Sequence, residues 1–148
     1  MTANEIIPNL WLGNIKDSQD TLFIKSIDII INCTKDLPFQ DDTKTCIRIS
    51  IEDNLEAIEI ANLYKYLDKV SSYIHKHLMS GNTILVHCFA GKQRSASIVC
   101  AYLMRYCGLT LSNATQLLQT KRIIVFTPLC NFESALKIFE SKILNGDI

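Results

Sequence analysis

Nine consecutive residues carry the densest chemistry in the chain: His87-Cys88-Phe89-Ala90-Gly91-Lys92-Gln93-Arg94-Ser95. Seven residues run from Cys88 to Arg94, between an apolar strand pattern and the start of a helical one. A loop of that length can curl so that its backbone N–H groups converge on one point, making an anion nest at a helix N-terminus. Phe89, Ala90, Gly91, Lys92 and Gln93 would supply those amides. Gly91 allows a backbone angle or a close approach that a Cβ would block. Arg94 can offer two parallel N–H donors to phosphate oxygens. A thiol in such a positive cradle ionises readily, which makes Cys88 the candidate nucleophile, set beneath a bound phosphorus for in-line attack. Ser95 is placed to donate to the sulfur and help it leave in a second step. His87 is expected to orient the loop through ring hydrogen bonds rather than to move protons.

The flanking segments must hold this loop in place. Thr83 to His87 is a short apolar strand, expected at the centre of a sheet, and Ser95 to Cys107 is a largely apolar helix stopped by Gly108. Ala57 to Ser80 carries Ile60, Leu63, Tyr64, Leu67, Val70 and Ile74 at helical spacing, with Gly81 as its C-cap. Leu10-Trp11-Leu12 reads as an edge strand closed by Gly13-Asn14, Asp17 to Lys25 as a helix, and Ile27 to Asn32 as a buried strand. A polar stretch with Pro38, Asp41 and Asp42 forms a loop before strand character returns at Cys46, Ile47, Ile49 and Ile51. Two further helices follow, the second with Thr127 as N-cap and Pro128 at its first position. Strands alternating with covering helices predict an α/β sandwich with a central, mainly parallel sheet flanked by helices. Ligand sites in such folds lie at the C-terminal ends of the strands, where Cys88 stands.

The chain has 148 residues, which suits a single domain over 1–148 with one core. Lys plus Arg and Asp plus Glu both number 15, so no strong basic field draws it to nucleic acid or an anionic membrane. No apolar run is long enough to span a bilayer, and Met1 to Glu5 lacks signal-peptide character. A cytoplasmic or nuclear location is expected. Six cysteines occur, Cys33, Cys46, Cys88, Cys100, Cys107 and Cys130. Their spacing fits neither a zinc site nor a secreted disulfide scaffold, so the residues other than Cys33 and Cys88 are read as buried small hydrophobes.

His-Cys-x-x-Gly-x-x-Arg-Ser resembles the signature loop of the protein tyrosine and dual-specificity phosphatases. Ile7 to Asn14 is similar to the opening of a small atypical dual-specificity catalytic domain. Ser95-Ala96-Ser97 and Ala101 to Met104 are similar to its post-loop helix. Ala114, Arg122, Pro128 and Phe132 fall near later landmarks. The resemblance implies a protein tyrosine phosphatase-like three-layer sandwich that hydrolyses phosphate monoesters of phosphotyrosine and phosphoserine/threonine proteins through a cysteinyl-phosphate, with no metal or other cofactor. It also implies a general acid on the loop after the third strand, where Asp53 fits and Glu52 is the neighbouring alternative. Where the family often has Pro-Asn, this chain has Pro128-Leu129, and Ala135 stands near a common Gln. A supporting hydrogen bond to the phosphate loop is therefore expected to be missing or replaced.

The chain is too short for the extra loop that deepens the pocket of tyrosine-only members, which implies a shallower pocket open to all three phosphoresidues. Lys92 inside the loop resembles phosphoinositide phosphatases of the superfamily, which keeps phosphoinositide or RNA 5′-phosphate substrates as an alternative to a solvated rim lysine. Cys33, at the end of its strand, occupies a place where some superfamily members carry a cysteine that pairs with the oxidised nucleophile. Buried packing is the other reading of Cys33. A catalytically silent phosphoprotein-binding module is the rival function, and the complete motif argues against it.

Overall fold

The computed structural model describes residues 3–40 and 43–148. Asp41 and Asp42, expected in a loop, lie outside the described residues. Five strands form one sheet: β1 (Asn4–Ile7), β2 (Leu10–Gly13), β3 (Ile29–Asn32), β4 (Thr45–Arg48) and β5 (Ile84–His87), in the spatial order β1-β2-β5-β3-β4. β5 is central, as its unbroken apolar run predicts. It pairs in parallel with β2 and β3, and β3 pairs in parallel with β4.

Successive strand side chains point to opposite faces, and both faces are covered. Ile29, Ile31, Ile84 and Val86 join the larger core beneath α3 (Ala57–Met79), α4 (Arg94–Tyr106), α5 (Leu111–Lys121) and α6 (Glu133–Leu144). Ile30 and Leu85 point the other way, against Phe23, Ile24 and Ile27 around α1 (Ile15–Ser18) and α2 (Thr21–Ile24). The result is the expected three-layer sandwich. Val86 and Ile31 are fully buried, each contributing about 1.5–3 kcal/mol by leaving water. The helix from Ala57 buries Leu63, Leu67, Val70 and Ile74 on one face and ends at Ser80. Gly81 follows at φ 87°, the left-handed angle a helix exit favours.

Four expectations are corrected. Leu10–Gly13 is an interior strand, because β1 folds back antiparallel across its outer side. The hinge is Asn9 at φ 70°, a conformation Asn tolerates better than most residues. The helix expected over Asp17 to Lys25 is two short ones, since the Asp20 side chain accepts from Phe23 N and restarts the helix. Thr127 and Pro128 do not open the last helix, which begins at Glu133 after Phe132. The Thr127 hydroxyl instead donates backward to Ile124 O at 2.6 Å. Of the four cysteines expected as buried hydrophobes, only Cys100 is buried. Cys46 lies on the sheet edge and Cys130 in a loop, both half-buried, and Cys107 is exposed at the end of α4. No disulfide joins any of the six.

Candidate active site

Gly13, His87 and Asn32 lie side by side across β2, β5 and β3. One residue further on, the central strand releases Cys88 into the loop that ends where α4 begins at Arg94. The loop's carbonyls are held from outside. Phe89 O accepts from Ile15 N at 3.1 Å and Lys92 O from Phe126 N at 3.0 Å. The buried Arg122 guanidinium donates from Nε to Gly91 O at 2.8 Å and from Nη2 to Ala90 O at 3.0 Å. In a planar trans peptide the next residue's N–H points opposite to the carbonyl. Four carbonyls fixed outward therefore turn the amides of residues 90–93 toward the concave side. Gly91 sits at φ 68°, and a Cβ there would collide with Gly13 O and Arg122 Nη2. Both reasons for a glycine hold.

The Cys88 sulfur lies 3.1 Å from Ser95 Oγ in the first turn of α4. Burial alone would raise its pKa. The Ser95 hydroxyl, the Ser95 and Lys92 backbone N–H groups and the Arg94 charge outweigh burial and hold it below the ordinary thiol value. Arg94 donates from Nη1 to Ile51 O at 3.0 Å, and its buried Nε has no hydrogen-bond partner among the described residues. His87 is fully buried, and desolvation lowers its pKa to about 4, so the ring is neutral. Its Nδ1–H donates to Cys88 O at 3.2 Å. That bond ties the ring to the cysteine's peptide.

Asp53 reaches the same place from the loop after β4. Ile51 is buried, and its carbonyl is the one Arg94 holds. Glu52 N donates to Oε1 of the buried Glu59, whose other oxygen takes Lys35 Nζ at 2.8 Å. Asn54 Oδ1 accepts from Glu56 N at 3.0 Å and closes the turn. Asp53 then lines a cleft of about 240 Å³ together with Cys88, Arg94, Lys92, Phe89 and Asn131. Glu52, the alternative, is not on that cleft. A larger groove of about 510 Å³ between α3 and α6 is lined by Ile60, Tyr64, Ala135 and Ile138. Neither Cys88 nor Arg94 lines it, so the chemistry of the loop belongs to the smaller cleft.

Two braces escape a reading of the linear chain. Gln93, expected only to lend its amide, is 4% exposed and its side chain is engaged by residues 129 and 131. It donates from Nε2 to Leu129 O at 2.8 Å and accepts Asn131 N at 2.9 Å on Oε1. Asn131 Nδ2 in turn donates to Asp53 Oδ1 at 2.9 Å. These contacts, with those of Arg122, support the loop from outside. No local pattern marks Asn131. Arg122 stood out only as a landmark of the resemblance. Cys33 follows β3 beside Cys88, its backbone N–H donating to His87 O at 2.8 Å. Burial, then the nearby Cys88, push its thiol pKa well up. Among the described residues no cluster of His, Cys, Asp or Glu could hold a metal ion. No described helix is long and apolar enough to cross a membrane.

The profile of the dual specificity phosphatase catalytic domain matches residues 10–142. Dual specificity protein phosphatase 1B of Arabidopsis thaliana is 33% identical over 144 residues, covering 95% of this chain and 83% of that protein. Human dual specificity protein phosphatase 16 is 31% identical across 95% of this chain, which spans 21% of that longer protein. The crystal structure of human DUSP28 superposes with a TM-score of 0.86 at 23% identity, covering 97% of this chain and 96% of that one. With the signature loop folded as a nest around a sulfur held below its ordinary pKa, the chain belongs to the dual specificity phosphatases, the cysteine-based enzymes that hydrolyse phosphate monoesters of phosphotyrosine and phosphoserine/threonine proteins.

Proposed function

We propose that Cys88 attacks the phosphorus of a phosphoprotein while Asp53 protonates the departing oxygen. Water then hydrolyses the cysteinyl-phosphate, with Asp53 as base and Ser95 stabilising the released thiolate. Arg94 and the loop amides of Phe89, Ala90, Gly91, Lys92 and Gln93 hold the equatorial oxygens. The observation that carries this is the sulfur of Cys88, 3.1 Å from Ser95 Oγ, on the floor of the cleft whose wall includes Asp53. The orphaned Nε of Arg94 supports the same reading, since a phosphate oxygen would satisfy it. Cys88→Ser should retain vanadate-competitive phosphopeptide binding and lose turnover. Asp53→Asn should slow a phosphoserine peptide by about 10²-fold or more. Full activity of Cys88→Ser would end the account.

The cleft's wall of Phe89 and Asn131 beside a single lysine, Lys92, supports phosphoprotein substrates over phosphoinositides or RNA 5′-phosphates. Neutral net charge agrees with that reading, and a cytoplasmic or nuclear location fits cysteines that form no disulfide. A redox role for Cys33 rests on its place beside Cys88 in neighbouring parallel strands. Peroxide oxidises the Cys88 thiolate to a sulfenic acid. Cys33 sulfur then attacks it, water leaves and a disulfide forms, which a thiol reductant reverses. Peptide mapping after peroxide treatment should find the Cys33–Cys88 link, and its absence would leave Cys33 as core packing.

A further inference from the structure

We propose that Asn131 is a positioning residue that aims the Asp53 carboxyl at the leaving group and ties that aim to the phosphate loop. The proposal rests on Asp53 as the acid and deepens that assignment. Asp53 is exposed in the segment between β4 and α3. Its side-chain hydrogen bond among the described residues is the one from Asn131 Nδ2 to Oδ1, at 2.9 Å. An amide N–H can only donate, so Oδ1 is occupied as an acceptor whether the carboxyl is charged or not. The transferable proton is thereby left to Oδ2, the oxygen free to face the substrate.

Asn131 is itself held by the loop that binds phosphate. Its backbone N–H donates to Gln93 Oε1 at 2.9 Å, and Gln93 Nε2 grips Leu129 O at 2.8 Å. Gln93 is buried, directly precedes Arg94 and caps the helix that begins there. A chain of hydrogen bonds thus runs from the residue beside the anion-binding guanidinium to the carboxyl across the cleft. Proton delivery needs a donor placed to within about an ångström, and misplacement on that scale costs up to about 10²-fold in rate.

The test is kcat/KM, which reports steps through P–O cleavage, on 2,4-dinitrophenyl phosphate and on phenyl phosphate. Poor leaving groups need the proton more. Asn131→Ala keeps the backbone bond to Gln93 and removes the donor to Asp53. Asn131→Asp keeps the shape and also removes the donor. Both should lose about ten times more activity on phenyl phosphate than on the dinitrophenyl ester. In an Asp53→Asn background, Asn131→Ala should produce no further leaving-group selectivity. Equal losses on both esters, a selective loss with Ala but not with Asp, or full additivity with Asp53→Asn would overturn the proposal. If Asp53→Asn itself loses both esters equally, the acid assignment fails and the proposal with it. That outcome is distinct from selectivity in Asp53→Asn without selectivity in the Asn131 variants.

Discussion

Arg122 offers the sharpest measurement of what holds the phosphate loop. Arg122 is 6% exposed, and its guanidinium donates to Gly91 O, Ala90 O and Asn4 Oδ1, the last at 2.9 Å. Replacing it with Met keeps the apolar stem and removes every donor. Each loop carbonyl left buried without a partner costs about 1–3 kcal/mol. Two of them set a gross loss of about 2–6 kcal/mol. Against this stands the cost of burying the guanidinium, visible in a pKa that desolvation pulls below the usual arginine value. The net loss falls toward the lower half, about 2–3 kcal/mol. With a urea slope of about 1–3 kcal/mol/M, the unfolding midpoint of Arg122→Met should fall by roughly 0.7–3 M. Trp11, the one tryptophan, packs edge-on to Phe23 at 5.2 Å and reports the transition by fluorescence. Arg122→Lys keeps the charge but not the fork that reaches two consecutive carbonyls, so it should recover less than half of the loss. A midpoint within about 0.3 M of the parent for Arg122→Met, or a lysine variant as stable as arginine, would refute the bracing argument.

Three further outcomes follow from the same geometry. His87 has a folded-state pKa of about 4 against an ordinary 6.5, so its contribution to stability is complete above pH 6.5 and disappears as pH falls toward 4. That window holds about 3 kcal/mol, and urea midpoints of His87→Gln should show a shallower slope there than the parent. Matching slopes would contradict the buried neutral ring. Because the Cys88 pKa is lowered, iodoacetamide should modify this sulfur at pH values where ordinary thiols resist. Ser95→Ala should move that inflection upward, and an unmoved inflection would remove the hydroxyl from the list of causes. Gly91→Ala has no room for its Cβ against Gly13 O and forces an unfavourable φ, so it should destabilise by about 2 kcal/mol or more. A midpoint equal to the parent's would mean the loop relaxes at little cost.

Features that depend on near neighbours were open to reading from the chain. β5 is a contiguous apolar run, α3 shows an apolar stripe along its length, and the nine residues around Cys88 hold most of their own chemistry. Asp53 was located through the family resemblance, since Glu52-Asp53-Asn54 by itself is only a polar turn. Pairing and bracing were not visible. β1 has two polar residues in four and becomes a strand only because Leu10–Gly13 offers it a partner. Thr127-Pro128 has the look of a helix start, yet the Thr127 hydroxyl turns back to Ile124 and its carbonyl faces Gln93 at 3.5 Å. Asn131 meets Asp53 across 78 positions and Arg122 meets Gly91 across 31. Hydrogen bonds over such separations are fixed by the assembled fold and leave no periodic trace.

The link from Arg122 to Asn4 spans 118 positions, and this has a consequence for synthesis on the ribosome. A nascent chain that has emerged only through α4 contains the cysteine, the serine and the strand beneath them. It still lacks Arg122, Phe126 and Asn131, which turn the peptide units inward and set the carboxyl opposite. The outer bonds to Ala90 O, Gly91 O and Lys92 O therefore form only once the segment after α5 has emerged and docked. The wall of the cleft that carries Asn131 is thus the last part of the enclosure to be synthesised.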